Sequence, residues 1–569
     1  MPFNISEYLL TDDLTVLLGL IAATVFLLSN LYKPQPLVHP ILLGRQSDVG
    51  RARNPGESAI YRNYGTGLMG RFPLRPSKDV HNLVDLVRPE VEAPRTLWST
   101  KITNAGLQDR AAALGTGLLR LAQLKPQAST VLILLNDCIE FIIADLALAS
   151  HSITSYTLSS PTLLPTVLES YPPSAILTHA FLLPQLLEHI YETNEQTVEH
   201  TIIVVGEPSA QTMASVASNI KVLKFAEVER EGVKVEKIIS PFSNTGDVFS
   251  ISFYESEAGL LQGAQLTHEN LTAGVAAVRA LLPLSHAISP LDTLASSHSL
   301  STAYGRAIAY TAIFEGTSFA TLASSELYHT EEESVPLDIS DILSVKRKYP
   351  IPSPTILFIK PDHLNSLATA VIKESAKSWL LYPFGWRHKL TGVTEGFIAK
   401  ESLWDRVVFD GARTKILGEG AATLRGAIVS GGLIEAKIMT PARVALSIPL
   451  VNSLTHPLVS GPVLASHAFD LQDFPAPSNG PLSPVAHTGP PSVNIEAKLV
   501  GVDDDQVENG ASPVGILVVR GPSIAKMANI EGYVDISSEG DGDGWISTGV
   551  KAEVQPNGSF QVLSLGNRK

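Results

Sequence analysis

Cysteine is almost missing: Cys138 is the single one in 569 residues. This excludes an intrachain disulfide framework and any Cys-based zinc site, and it suits a reducing compartment. Basic charge is scarce as well. With 42 Lys and Arg against 56 Asp and Glu, a net charge of −14, the chain has no basic footprint for phosphate backbones, so nucleic acid is not an expected partner. Heptad runs, internal repeats and long low-complexity tracts are absent. Charged residues make up only 17% of the chain against 44% hydrophobic ones, which excludes disorder as the main state. Candidate metal ligands lack metal-like spacing: His286, His298 and His456 stand far apart, and Asp503, Asp504 and Asp505 read as a solvated acidic turn. No metal site is expected.

Long uncharged runs are equally rare, and one stands out. From Leu14 to Tyr32 there are 19 residues without a charge. As a helix this run would span about 28 Å at ~1.5 Å per residue, close to the hydrocarbon thickness of a bilayer. A transmembrane anchor is therefore expected over 14–32, after a tail of residues 1–13. Its leading flank carries Glu7, Asp12 and Asp13, unlike the basic start of a signal peptide. Lys33, Arg45, Arg51 and Arg53 follow it, and the positive-inside bias places the body in the cytosol, on the endoplasmic reticulum or another intracellular membrane.

Residues 33–95 are rich in Pro, Gly and Arg with weak periodicity and read as an extended arm. From Thr96 helices and apolar runs alternate. Helical periodicity marks Leu107 to Leu124 and Ile139 to Ala149, and strands are expected at Thr130 to Leu135, Ala175 to Thr178 and Thr201 to Val205. Later strand candidates are Val248 to Phe253, Thr355 to Ile359, Gly426 to Val429 and Gly515 to Val519. This alternation predicts an α/β protein with parallel sheets covered on both faces. A Pro-rich linker at 472–491 divides an α/β body over 96–475 from a β-rich unit over 492–569.

From Ser252 to Asn270 the chain reads SFYESEAGLLQGAQLTHEN, after a strand and before a helix, the place of a glycine-rich phosphate loop. The segment resembles the YTSGTTGxPKG signature and LTHxN tail of the adenylate-forming (AMP-binding) superfamily. Tyr254, Gly259, Gly263, Leu266, Thr267, His268 and Asn270 keep that frame. Further segments resemble the long-chain fatty acyl-CoA synthetase branch in collinear order. They are Asn136 to Phe141 (NDCIEF), Leu403 to Phe409 (LWDRVVF), Arg425 to Gly432 (RGAIVSGG), Thr488 to Val500, Val518 to Pro522 (VVRGP) and Asp543 to Gly549 (DGWISTG). The resemblance implies the N-terminal portion of an ANL-type acyl-CoA synthetase, two α/β subdomains and a small β-rich subdomain ending at a hinge, here joined to an N-terminal transmembrane helix. It also implies use of ATP, Mg and CoA.

The departures fall on the positions that would carry the chemistry. Glu255, Ser256, Glu257 and Ala258 stand where the family has Ser, Gly, Thr and Thr, and Gln262 stands where it has Lys. Two carboxylates would thus face a polyanionic ligand, and losing even one preorganised donor costs about 10²- to 10³-fold in rate. Thr455 and His456 replace the family's Mg-holding Thr-Glu, and neutral imidazole is a poor ligand for hard Mg²⁺. Val550 replaces the acidic ribose contact, and Thr302 replaces the active-site His while Arg306 matches. Arg568 corresponds to the hinge Arg, and the family's mobile C-terminal domain is expected to be missing.

His268 reads as a helix-start or packing residue rather than a base. Ser430, Gly431 and Gly432 either make a turn the fold needs or keep an adenine contact. The resemblance, with its replacements, implies a catalytically impaired pseudoenzyme without a tightly bound cofactor. Its expected partners are a membrane, a fatty acid or acyl-CoA, and a protein such as an active synthetase. The alternative is a divergent but active long-chain fatty acid–CoA ligase.

Overall fold

Runs of apolar residues bounded by polar turns become buried strands. Thr130–Leu134, Ala175–His179 and His200–Val205 lie side by side in parallel, with Val131 opposite Ala175 and Ile176 opposite Ile202. The computed structural model describes residues 13–31, 36–66, 71–192, 200–238, 244–256, 259–329, 335–472, 485–528 and 544–564. The sheet just introduced has eight strands, in the order Lys526–Met527, Leu261–Thr267, Val248–Glu255, Thr154–Leu158, Thr130–Leu134, Ala175–His179, His200–Val205, Ile220–Lys224. Its last six strands are parallel.

A second eight-stranded sheet is built the same way. Its parallel centre runs Leu450–Leu454, Gly426–Val429, Ile356–Ile359, Thr293–Ser296, Ser318–Thr321, Arg95–Leu97. Helices fill the space between the sheets. Ile139–Ser150 has a nearly all-apolar sequence because it is buried on nearly every side, and His268–Arg279 packs against Ala303–Glu315. One continuous core joins both sheets through Phe141, Ile143, Leu266, Ile308, Tyr310 and Phe358.

The third sheet is antiparallel and six-stranded. Glu496–Val500, Val514–Arg520, Ile546–Val554 and Phe560–Ser564 are joined by two strands from near the N-terminus, Ser47–Arg51 and Ile60–Asn63. Arg62 sits opposite Glu496 and pairs with it at 3.0 Å. The α/β architecture with a β-rich unit is thus the one the sequence predicts, with residues of the 33–95 segment built into that unit.

The expected membrane span requires correction. Among the described residues no helix is long and apolar enough to cross a membrane. The run forms the 19-residue helix Asp13–Leu31, and Leu14, Leu17, Leu20, Ile21, Phe26 and Leu27 on it are exposed. The tail up to Asp12 and the end of the expected span at Tyr32 lie outside the described residues.

Candidate functional site

Parallel strands leave their carboxyl ends along one edge of a sheet, and ligand sites in such sheets form outside those ends. Residues 297–302 follow Thr293–Ser296, Lys360 follows Ile356–Ile359, residues 430–432 follow Gly426–Val429, and Thr455 and His456 follow Leu450–Leu454. Asp137, just beyond Thr130–Leu134 of the other sheet, ties the two edges together. It accepts hydrogen bonds from Ser299 Oγ at 3.1 Å, Leu300 N at 2.8 Å and Ser325 Oγ at 2.7 Å. Burial pushes its carboxyl up to about 6 against the pull of these donors. Thr157 Oγ1 donates to Ser301 O at 2.9 Å, a second tie between the sheets. Sequence reasoning passed over Asp137 as a bridge. The signal it left is a charged residue two positions after the apolar run Val131 to Leu135.

Ser430 Oγ lies 2.8 Å from His298 Nε2, and the imidazole stands edge-on to the Tyr304 ring at 5.0 Å. Burial, with Lys360 and His363 nearby, pushes His298 down to about 3, so its ring is neutral at pH 7. Gly431 has φ +80°, and a Cβ there would lie 3.2 Å from His298 Cε1. A side chain would be strained twice over, by its backbone and by the ring. At Gly432 a Cβ would approach Pro361 Cγ to 3.1 Å. Each residue of this turn thus has a packing reason for its identity.

The segment read as a phosphate loop is the tip of a hairpin. Val248–Glu255 and Leu261–Thr267 pair antiparallel, with Tyr254 opposite Gln262 and Glu255 opposite Leu261. A whole strand therefore separates the tip from the helix His268–Arg279, within the after-strand, before-helix order expected from the sequence. The tip is closed by its own backbone. Ser256 N donates to Leu260 O at 2.8 Å, Gly259 N to Ser256 O at 2.9 Å, and Leu260 N to Ser256 Oγ at 3.1 Å. Three amides are consumed inside the turn, and Glu255 is exposed beside them while Gln262 is half-buried. Tyr254 is buried, and Gly263 is held 3.0 Å, at its would-be Cβ, from Ala528 Cβ. Glu257 and Ala258 lie outside the described residues, as does Arg568.

A family model described as AMP-binding enzyme matches residues 88–527. The chain belongs to this family. Among curated relatives, the human long-chain-fatty-acid–CoA ligase 1 is 22% identical over 324 residues, covering 56% of this chain and 41% of that protein. Long chain acyl-CoA synthetase 3 of Arabidopsis thaliana is 23% identical over 336 residues, covering 57% and 45%. The chain thus spans about half the length of the curated relatives it matches. A crystal structure of the anthranilate CoA ligase AuaEII with anthranoyl-AMP superposes with TM-score 0.59 at 16% identity, over 86% of this chain and 78% of that one. At that identity the likeness establishes the fold alone.

The AMP-binding frame residues that persist here hold structure. Thr267 caps His268–Arg279 in a capping box with Asn270, each side chain bonding the other's backbone N–H. Asn270 Nδ2 also donates to Pro522 O at 2.8 Å and Ile524 O at 2.9 Å, fastening the helix to the VVRGP segment. His268 is 1% exposed, stacks on Phe249 at 5.2 Å and accepts the Leu83 N–H at Nδ1. Asn270→Ala should lower stability by about 2 kcal/mol, because a cap is lost and two buried carbonyls lose their donor. A shift in the urea midpoint with an unchanged slope measures it.

The replaced AMP-binding positions are also committed locally. Thr302 Oγ1 caps Ala303–Glu315, accepting from Gly305 N at 3.1 Å and donating to Ser299 O at 2.7 Å. His456 Nδ1 accepts the Leu458 N–H at 3.3 Å. Val550 is buried in the core that joins the six-stranded sheet to Leu454 and Val463, so its methyls fill a packed interior rather than line an open surface. Among the described residues no group of three His, Cys, Asp or Glu is placed to hold a metal ion. The donors that ATP and Mg²⁺ require are therefore poorly matched at these positions.

Proposed function

We propose that this chain is a membrane-associated, long-chain acyl-CoA synthetase-like protein of the AMP-binding family in which ATP-dependent adenylation is lost, leaving a lipid- or partner-binding role. The observation that carries this reading is the hairpin tip, where the amides of Ser256, Gly259 and Leu260 bond within the turn, with a carboxylate at Glu255 and no cation at Gln262. Triphosphate binding needs outward amides and positive charge. His456 in place of a carboxylate weakens Mg²⁺ binding in the same direction. ATP, Mg²⁺ and CoA, the cofactors the family implies, are accordingly read as weakly held or unused.

Support for a lipid role comes from a cavity of about 360 Å³ walled by Ile342, Leu357, Ile416 and Leu424, which offers apolar room for a fatty acyl chain, while Lys346 and Lys415 on its lining are ion-paired with Glu419 and Glu374 and leave Arg347 as the cation at its edge. The exposed Leu14, Leu17, Leu20, Ile21, Phe26 and Leu27 of the N-terminal helix support attachment to an intracellular membrane, and we place the body, over 96–475 and 492–569, on its cytosolic side. An active synthetase is the protein partner this reading favours.

Calorimetry of the full chain with ATP·Mg²⁺ should register no saturable binding, and incubation with a long-chain fatty acid, ATP and CoA should yield no acyl-CoA. Turnover that is abolished by altering the hairpin would replace this reading with that of an active ligase. A fluorescent long-chain fatty acid should bind saturably and be displaced by unlabelled lipid. Association that never saturates would leave a plain scaffold.

A further inference from the structure

Soluble surfaces rarely gather large apolar side chains in one place, yet this chain does so at one end of the helix Tyr382–Thr394. Trp379 is 75% exposed, Leu380 60% and Phe384 64%, and across from them Leu403 is 70% and Val407 49% exposed. The two stretches form one surface, because the Phe384 ring stacks on Trp404 with centroids 6.4 Å apart and planes within 17°. The helix has its packing face already satisfied. Tyr382, Trp386, Leu390 and Val393 sit against Val408, Phe409 and Val444, so the core has no further need of Trp379 or Phe384.

The rim of this surface is basic in a chain of net charge −14. Arg387 and Arg406, on the same two stretches, are exposed and have no ion-pair partner among the described residues, against one exposed carboxylate at Glu401. The helix that carries this surface is tied at its other end, about 18 Å from Phe384 at ~1.5 Å per residue, to the segment that follows the apolar N-terminal helix. Leu37 N donates to Gly396 O at 3.0 Å, two residues beyond the end of Tyr382–Thr394, and Pro36 packs on Gly396. Leu31 is five residues from Pro36, so the end of the apolar helix lies at most about 18 Å from that anchor point.

We propose that the face formed by 379–384 and 403–407 docks on a lipid bilayer bearing anionic headgroups, inserting Trp379, Leu380 and Phe384 while Arg387 and Arg406 meet the headgroups. Tryptophan and leucine beside arginine are what an interfacial contact uses. This inference rests on the reading that the chain works at a membrane, and adds a second contact that holds the body against the surface.

The test uses the full chain in a Cys138→Ser background, so that Leu380→Cys, or Met213→Cys as a remote control, carries a single environment-sensitive dye. With vesicles of phosphatidylcholine containing phosphatidylserine, dye at 380 should brighten about twofold or more and resist aqueous quenchers, as expected for insertion at the acyl boundary, while dye at 213 should not. Arg387→Glu with Arg406→Glu should weaken partitioning by about 25-fold or more, since each basic side chain near an anionic surface adds roughly fivefold. Vesicle binding with the dye at 380 still in water would overturn the docking face yet leave membrane attachment intact. No vesicle binding at all would remove both. Brightening at 380 that needs no vesicles and rises with protein concentration would assign the face to a second copy of the chain and overturn the proposal.

Discussion

Acidification from pH 7 to pH 5 is expected to lower the unfolding free energy by roughly 3 to 5 kcal/mol. Burial pushes His268 down to about 4, with Asp247 and Asp85 opposing. Burial takes His179 to about 4, and burial with Lys360 and His363 takes His298 to about 3. Unfolded, each imidazole takes a proton near 6.5. The stability from their neutral folded forms is full above that value and is lost as pH falls towards the folded values. Each gives up roughly 2 kcal/mol by pH 5. Asp137 works the other way: its folded carboxyl, raised to about 6, binds its proton more tightly than the unfolded one. Its contribution is present at low pH and disappears as pH rises through about 6, so acidification returns roughly 1 kcal/mol. Urea unfolding across this range checks the balance. His268→Gln should remove about 2 kcal/mol of the acid dependence, and a stability that stays flat from pH 7 to pH 5 would show that these rings do not remain neutral in the folded chain.

Arg306→Leu should cost about 3 to 5 kcal/mol, the largest single-residue effect expected outside the site residues. Arg306 is fully buried, donates from Nε to Leu300 O at 2.9 Å and from Nη2 to Thr157 Oγ1 at 3.3 Å, and sits 3.5 Å from Asp145 Oδ1. Its guanidinium also lies 5.5 Å from the Phe141 ring centre and 5.8 Å from that of Phe249. Burial raises the Asp145 carboxyl, and Arg306 pulls it back. Without the guanidinium, a carboxylate supported by the hydroxyls of Tyr310, at 2.9 Å, and Ser155 but by no cation would remain in an apolar interior. Arg306→Leu with Asp145→Leu should recover much of the loss, because breaking a buried pair is costlier than replacing it whole. A double variant no more stable than the single one would assign the cost to the lost Leu300 and Thr157 contacts instead. The AMP-binding frame keeps an Arg at this position, and here its task is to bind the 297–302 segment to the other sheet.

Much of the body was legible locally. Gly426–Val429 is a strand because four buried apolar or small residues stand between Arg425 and a Ser-Gly-Gly turn, and Val514–Arg520 follows from GILVV flanked by a proline and a VVRGP turn. Ile139–Ser150 could be read because its apolar residues outlast any strand. The Thr267 to Asn270 capping box is a four-residue pattern that needs no distant partner. The replacements at Glu255, Gln262 and His456 were equally plain, since charge and ligand softness belong to a side chain's identity wherever it is placed.

What the sequence by itself determined, then, is the α/β class, most strand and helix positions, and which chemical groups occupy the family's motif positions. Only the tertiary structure decided that Ile60–Asn63 completes a sheet begun by Glu496–Val500, that Asp137 ties the carboxyl edges of two sheets, that Val550 fills a core, and that the 256–260 tip closes on itself. Periodicity reports which face of an element is apolar, but the pairing of Arg62 with Glu496 joins residues more than 400 positions apart, and no local pattern encodes a partner at that distance. Which amides a turn consumes, and whether a valine meets solvent or other methyls, are settled by neighbours that arrive only when the chain has packed.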